Sequence, residues 1–287
     1  MEFNPNDVGM IDQDTVEAEG SQYPTISFHN GSLTQKKAGG ISYEGGWFID
    51  EESTPADMTT FGWVKDSFVT RNGEEVVGYW ASQITVSVIQ ERKRWISNKQ
   101  PYAWNDYDNA KKAGNPRGHQ QYLVLLKGAE NLGLFMIGLK GHAAMSFKGN
   151  GPYKQTGGLS WLNRTVIAAA NAKTKPQKWA YRAFWLTVGV QKDAKGQPAF
   201  IEVGTNDKSQ ILLPVPFGLP EKAADVDLGQ FYVGKELLAT INGYLDEATM
   251  WKAVWDSFDG TAATNGNGKD EEDEPEVTEA DAEAMGL

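Results

Sequence analysis

The chain has 287 residues, a net charge of −11, 40% hydrophobic content and no cysteine, which allows a sizeable core and excludes a disulfide framework or a thiolate metal site. Its three histidines (His29, His119 and His142) lack ligand spacing, no apolar run could span a membrane, and residues 1–20 are acidic where a signal peptide would be basic. We therefore expect a soluble cytoplasmic protein of a bacterium or a phage-infected cell, with no membrane association, metal or cofactor.

The first half of the chain predicts short antiparallel strands. Residues 1–20 lack periodicity and predict a flexible acidic arm, with a single folded domain expected over residues 21–258. Apolar and aromatic residues alternate in three segments, Tyr23 to Phe28, Gly62 to Val69 and Val76 to Ile96, and a further short strand is predicted at Trp47 to Ile49, after Gly45-Gly46. The turn residues Arg71-Asn72-Gly73 between the last two alternating segments predict a long hairpin.

Residues 97–118 lack regular periodicity and are rich in Asn, Pro and Gly, which predicts a long loop or a hairpin extension. Four aromatic residues in or beside this segment (Trp95, Tyr102, Trp104 and Tyr107) favour an ordered or ligand-ordered structure, because a disordered linker seldom carries so many. An equally good alternative is that Trp104 and Tyr107 fold back to cap the body of the protein.

The second half of the chain predicts strands and two helical regions. Two apolar runs, from Tyr122 to Lys127 and from Leu132 to Lys140, predict a hairpin. Helical spacing predicts a helix from Leu159 to Ala172 and a helical region from Lys235 to Phe258. Between them, strands are predicted over Tyr181 to Val190 and over Ala199 to Val203. Pro214, Pro216 and Pro220 are then expected to interrupt regular secondary structure.

The chain is expected to end in a Gly/Asn linker (residues 259–268) and a disordered acidic tail (residues 269–287). The order of elements predicts a mainly β fold with α (α+β). It is compatible with an OB-like antiparallel β-barrel that has large insertions and a C-terminal helical region, and with other barrels.

The negative charge is concentrated at the two ends of the chain. Residues 1–20 contain six acidic and no basic residues, and residues 269–287 contain nine acidic residues and one lysine. Removing both ends from the total of −11 leaves +3 for residues 21–268. The expected folded body is therefore mildly basic and suited to a polyanionic partner.

Residues 131–192 contain no Asp or Glu but nine basic residues, with aromatic residues among them. Lys and Arg release counterions from a phosphate backbone, and aromatic faces stack on bases without selecting a sequence. Single-stranded nucleic acid is thus the expected ligand. For Phe184 and Trp185 we favour the alternative that they belong to the core. The predicted contacts in this stretch are Lys140, Lys148, Tyr153, Lys154, Trp161, Arg164, Lys175, Lys178, Trp179 and Arg182.

A second basic and aromatic stretch runs from Glu91 to His119. Its cations outnumber its acids, and its aromatic residues lie between the cations, so we predict further nucleic-acid contacts here. These are Arg92, Lys93, Arg94, Trp95, Lys99, Tyr102, Trp104, Tyr107, Lys111, Lys112 and Arg117.

No sequence motif predicts catalysis. The chain has no GxxxxGK[ST] phosphate loop, no GxSxG or HExxH motif, and no carboxylate spacing typical of a metal-dependent nuclease. The Gly-rich segment from Gly149 to Gly158 is a weak candidate for anion binding through backbone N–H groups. We expect a non-catalytic protein, and a nucleic-acid enzyme or annealing factor, or a virion structural protein, are the alternatives.

The acidic run from Asp270 to Glu276, the apolar end from Met285 to Leu287 and the preceding Gly/Asn linker resemble the layout of bacterial and phage single-stranded DNA-binding proteins. That resemblance implies an OB-like body, binding of single-stranded DNA (or RNA) and a possible oligomer. It also implies a tail that recruits replication or recombination proteins and competes with DNA. The tail residues concerned are Asp270, Glu271, Glu272, Asp273, Glu274 and Leu287. Unlike the bacterial family, this chain does not end in Pro-Phe.

Overall fold

The structure, a computed structural model, describes seven stretches of the chain, which are residues 23–29, 32–36, 42–43, 45–69, 75–173, 179–203 and 209–256. The predicted acidic arm, linker and tail lie outside the described residues, as do Lys175 and Lys178.

Fourteen strands form in these stretches. They are β1 (Thr25–His29), β2 (Ser32–Lys36), β3 (Ser42–Tyr43), β4 (Gly46–Asp50), β5 (Val64–Val69), β6 (Glu75–Ala81), β7 (Gln83–Ser97), β8 (Gln100–Ala103), β9 (Arg117–Leu126), β10 (Leu134–Lys140), β11 (Leu186–Val190), β12 (Ile201–Val203), β13 (Ser209–Ile211) and β14 (Pro214–Phe217). Some have alternating apolar and polar residues, such as β1, and others are apolar runs buried on both faces, such as the first part of β10.

Ten of the strands form one sheet in the order β14-β11-β7-β9-β10-β1-β4-β6-β5, with β8 paired to β7 beside this path. The β1–β10 pair is parallel, and the other described pairs of this sheet are antiparallel. Two small sheets, β2–β3 and β12–β13, stand apart. Within the described residues the sheet is open, because its end strands β14 and β5 do not pair. The predicted α+β class is confirmed.

Both predicted hairpins form, β5 with β6 and β9 with β10. The alternating segment from Val76 to Ile96 forms two strands, because a bend at Ser82 separates them. Before the bend, β6 pairs with β4 and β5, and after it β7 pairs with β11 and β9. Two alternating segments with different neighbours look like a single strand in sequence.

Pro214 and Pro216 were predicted to interrupt regular secondary structure, but they lie in the edge strand β14. Proline lacks a backbone N–H and is tolerated where one side of a strand has no partner, which explains this position. The predicted strand from Tyr181 is shorter than expected, because Tyr181–Ala183 forms a 3-10 turn ahead of β11. The strand predicted over Ala199 to Val203 forms as β12, which pairs with β13 in a separate two-stranded sheet.

Helices lie on both faces of the large sheet. They are α1 (Tyr107–Ala113), α2 (Gly141–Lys148), α3 (Gly158–Leu162), a π-helical stretch (Asn163–Ile167), α4 (Ala168–Lys173), α5 (Leu228–Phe231), α6 (Lys235–Gly243) and α7 (Leu245–Asp256). Short 3-10 helices occur at Met58–Phe61, Glu130–Leu132, Gly151–Tyr153, Tyr181–Ala183 and Ala223–Asp225. The run from α3 to α4 confirms the helix predicted over 159–172, and α6 and α7 confirm the C-terminal helical region.

The two sheet faces bury separate cores. On the inner face, β-strand residues such as Val124 and Ile137 pack with α2, α3 and α4. Trp47 crosses this core, since its Nε1 donates to the Val188 carbonyl at 3.1 Å and links β4 to the distant strand β11. On the outer face, Leu123, Met136 and their neighbours pack beneath α6 and α7. Burial of apolar area on both faces holds the three layers together.

None of the helices in the described stretches has the length and apolar character needed to cross a membrane.

Candidate nucleic-acid interface

Strands β7, β9 and β10 bring two basic residues and a histidine into one row on the outer face. Arg94 lies directly opposite His119, and His119 lies directly opposite Lys140. Residues directly opposite each other share a sheet face, as do residues two apart along one strand, so Arg117 belongs to the same face. We call Arg94, Arg117 and Lys140, grouped around His119, the outer-face cluster.

The electrostatics of His119 show how close these cations are. Burial, and to a lesser extent the positive charges of Lys140, Arg94 and Arg117, together lower the pKa of His119 to about 3. Its Nε2 atom is buried and has no hydrogen-bond partner in the described part of the chain. The cluster therefore concentrates positive charge around a neutral ring, an arrangement that favours a bound anion.

His119 makes the stability of the fold depend on pH. Its pKa is about 3 in the folded protein and 6.5 ordinarily, so between these values the unfolded chain binds a proton that the folded chain does not. The stability that the fold gains from keeping His119 neutral is complete above pH 6.5, the pKa of His119 in the unfolded chain, and it declines as the pH falls towards 3. His29, whose pKa burial lowers to about 4, acts in the same direction.

We expect His119→Gln to lose less unfolding free energy than the unmodified chain when pH is lowered from 7 to 5. Urea unfolding of both proteins at the two pH values measures this difference. Identical losses in the two proteins would contradict the assignment, and a matched His29→Gln variant measures the other buried histidine separately.

Arg92 points to the same face but is already engaged with α7. Its guanidinium lies 4.0 Å from the Trp251 ring and 4.2 Å from the Trp255 ring, and it donates to Gln121 Oε1 at 2.9 Å and to the Trp251 carbonyl at 2.8 Å. Burial lowers its pKa to about 9, with the charge of Arg94 as a lesser cause. These contacts make Arg92 an anchor for α7.

The α7 helix borders the outer-face cluster. The Arg94 guanidinium lies 4.1 Å from the ring of Trp255, one residue before α7 ends at Asp256. The acidic tail predicted from the sequence therefore follows a helix whose last turn touches the cluster.

The end of β7, β8 and α1 (residues 92–113, here called the hairpin extension) has an aromatic core of its own. The Trp95 and Trp104 rings stack at 4.3 Å with an interplanar angle of 6°, and Trp95 Nε1 donates to the Trp104 carbonyl at 2.9 Å. Tyr107 packs on Trp95 at 4.9 Å. This packing matches the alternative in which Trp104 and Tyr107 fold back.

Trp95 is 0% exposed, so it cannot stack directly on a base in this structure, and its predicted contact role is corrected to a packing role. Trp104 has Lys93 Nζ 4.5 Å from its ring and is half-buried. Tyr102 lies opposite Trp95 and is also half-buried. Of these aromatic residues, Tyr102, Trp104 and Tyr107 keep part of their surface available for stacking.

A two-residue turn between β7 and β8 forms the tip of the hairpin extension. Asn98 and Lys99 have positive φ values of 48° and 64°, which is typical of the turns that match the twist of a hairpin. The Asn98 side-chain amide donates to the Ala113 carbonyl at the end of α1. Lys99, Lys111 and Lys112 are exposed around this tip and form a second basic surface.

Other predicted contacts lie with the helices of the inner-face layer, away from the outer-face cluster. Lys148 at the end of α2 forms an ion pair with Glu91. Trp161 Nε1 donates to the Pro220 carbonyl at 2.9 Å, and Arg164 donates to the Gln155 carbonyl at 2.7 Å. Two further members of this group are Tyr153, whose hydroxyl is 3.0 Å from His142 Nδ1, and Lys154, which is exposed.

The last two described members lie beside the segment that precedes α6 and beside α6 itself. Trp179 packs against Phe184 and Tyr232, and Arg182 Nε donates to Asn242 Oδ1 at 3.3 Å. Phe184 and Trp185 are buried, which confirms that they belong to the core. The acid-free stretch 131–192 is therefore divided between several surfaces.

The Gly-rich segment before α3 serves helix packing. A Cβ at Gly157 would collide with Gly149 Cα, so these glycines let two backbones approach closely. The N–H groups of Tyr153, Lys154 and Gly157 already donate to backbone carbonyls. Anion binding by the remaining N–H groups of this segment stays a prediction.

Three residues on the outer face escaped the sequence-based prediction: His119, Gln121 and Gly138. Only the strand register could have identified them, because they lie on β9 and β10 beside Arg92, Arg94 and Lys140. Among the described residues, no three His, Asp or Glu side chains come together as a possible metal site.

Comparisons of the chain with protein-family models, with curated proteins and with solved structures find no match.

Proposed function

We propose that this protein binds single-stranded nucleic acid, with DNA as the first candidate, across the outer face of its large sheet. The observation that carries the proposal is the outer-face cluster of Arg94, Arg117 and Lys140. The neighbouring same-face positions on β7, β9 and β10 (residues 92, 96, 121 and 138) include no acid. Such a surface would bind a phosphate backbone and release counterions.

The hairpin extension supports a single strand as the ligand. It continues from the cluster and holds Tyr102 and Trp104 half-buried beside exposed lysines at its tip. Unpaired bases stack on such aromatic side chains for about 1–3 kcal/mol each, whereas the bases of a duplex are stacked on one another.

The proposal includes a role in replication, recombination or repair in the cytoplasm of a bacterium or a phage-infected cell. It also includes the OB-like body and the partner-recruiting acidic tail implied by the family resemblance. These finer statements rest on the sequence and on the outer-face cluster together.

Titration of Trp fluorescence with oligo-dT at several salt concentrations tests the proposal. We expect tight binding at low salt and a linear fall of log K with log salt. A chain that does not bind oligo-dT at low salt would not have the proposed function. Labelled DNA incubated with Mg²⁺ or Mn²⁺ separates binding from cleavage, because a nuclease would degrade the strand.

The acidic tail is expected to compete with nucleic acid for the outer-face cluster, since α7 ends beside Arg94. Deleting residues 261–287 should therefore raise the affinity for oligo-dT several-fold at low salt. This gain in affinity should shrink at high salt, because screening weakens the binding of both the tail and the nucleic acid to the outer-face cluster. Gel shifts with both proteins measure this, and unchanged or weaker binding after deletion contradicts competition.

A further inference from the structure

Glycine 138 occupies an unexplained position in the middle of β10. Glycine inside a strand weakens the strand and usually marks a bulge, a close approach of another backbone, or the approach of a ligand. The β9–β10 register runs without a shift from Leu134 to Lys140, which excludes a bulge at Gly138. A Cβ built there would meet no atom within 4 Å, which excludes a close approach in the described part of the chain.

The other strand glycines of the described residues differ from Gly138 in this respect. A Cβ at Gly78 would collide with the Ile49 carbonyl, and one at Gly46 or Gly189 would lie 2.7 Å from a neighbouring atom. At Gly118 the nearest ring atom of Trp95 is 3.3 Å away. In each of these cases packing explains the glycine. On the surface of the sheet above Gly138, in contrast, the described residues leave space for a side chain.

The surroundings of Gly138 suit one kind of ligand. Across the sheet its direct neighbours are Gln121 on β9 and Ser27 on β1, both polar and half-buried. Along β10, Met136 belongs to the apolar core beneath α7 on one side, and Lys140 of the outer-face cluster lies on the other. The open position therefore has polar sides, one apolar end and one cationic end.

The hydrogen bonds of Gln121 fix what its side chain can offer. Arg92 Nε, which can only donate, bonds to Gln121 Oε1 at 2.9 Å. The amide NH₂ of Gln121 therefore keeps its two donors, and it makes no hydrogen bond in the described part of the chain. A carbonyl oxygen or ring nitrogen at a base edge is a matching acceptor.

We propose that the open position above Gly138 is a subsite for one nucleobase of the bound strand. The inference rests on the proposed function. Lys140 lies two residues, or about 6.6 Å, along the strand from Gly138, close enough to hold the phosphate of the same nucleotide. The base then lies flat over Gly138, with its polar edge toward Gln121 and an apolar side toward Met136.

The test compares Gly138→Val with the unmodified protein in oligo-dT titrations over a range of salt. Valine fills the open position, and its β-branched side chain suits a strand, so the fold should keep its melting temperature. We expect about tenfold weaker binding with an unchanged dependence on salt, because a base is displaced while the phosphate contacts remain. Gly138→Ala should give a smaller loss.

Gly243→Val is the matched control, since Gly243 is exposed on α6 and also has open space above it. It should bind like the unmodified protein. Equal binding by Gly138→Val and the control overturns the subsite, as does a weaker salt dependence, which would mean lost phosphate contacts. If the unmodified protein itself fails to bind, the proposed function fails, and the subsite fails with it.

Discussion

Replacing Arg117 and Lys140 together with glutamate should weaken binding of oligo-dT at least about 100-fold at low salt. Both residues lie in the outer-face cluster, and both act electrostatically on His119. Hydrogen bonds to charged groups contribute about 1.5–3 kcal/mol each, so the loss of two phosphate contacts accounts for a factor of this size. The introduced negative charges add repulsion of the phosphate backbone.

Alanine replacements at the same two positions should also change the salt dependence. Each phosphate contact contributes about 0.7 to the slope of log K against log salt for a single strand, so the double alanine variant should lose about 1.4. Fluorescence titrations at four or five salt concentrations give the slope directly. Circular dichroism of each variant shows whether the sheet remains folded, since both side chains are half-buried.

The matched control changes net charge by the same amount away from the cluster. Lys195 and Lys222 are both exposed and lie outside the outer-face cluster and the hairpin extension. The Lys195→Glu, Lys222→Glu double variant should bind within about twofold of the unmodified protein at moderate salt, where distant charges are screened. If control and cluster variants weaken binding equally, net charge alone governs affinity and the outer-face cluster is not the site.

Replacing Trp95 with alanine should lower the free energy of unfolding by about 3–5 kcal/mol. The Trp95 ring is fully buried, stacks on Trp104 and packs against Tyr107, and its removal leaves a cavity at the centre of the hairpin extension. Urea unfolding measures the change. Hydrogen exchange should show the largest loss of protection in β8 and α1, because these elements depend on Trp95.

Trp95→Phe is the graded control. Phenylalanine keeps a ring beside Trp104 but cannot donate to its carbonyl, so the loss should be about 1–3 kcal/mol. These two variants also separate packing from ligand contact. If Trp95→Ala weakened oligo-dT binding but left the free energy of unfolding unchanged, Trp95 would be a stacking residue, as the sequence pattern suggested.

Local patterns were sufficient to predict many elements of the fold. The β9–β10 hairpin, the helix around Val166 and the helices α6 and α7 follow from periodicity within short segments. The helix α2 was missed because residues 142–147 are all buried, which removes the polar face that marks a helix in sequence. The helix α1 was missed because it is short and interrupts a segment rich in Asn, Pro and Gly.

The candidate site was predicted only in part. Arg94, Arg117 and Lys140 stood out as basic residues, but Lys148 and Arg164 stood out equally. The pairing of β7, β9 and β10 places the first three on one face, while α2 and the π-helical stretch carry the other two on the inner-face side. Trp95 shows the same limit, because alternation along a strand does not reveal which face another element covers.

By itself, the sequence determined many of the strands and helices and the separation of an acidic tail from a mildly basic body, because each of these depends on residues close together in the chain. Only the tertiary structure decided which charges share a surface and which aromatic residues are buried. Strand pairing joins positions as far apart as 94, 119 and 140, and helix packing then covers one neighbour and leaves another open. Such contacts depend on register and layer order, which no local pattern contains.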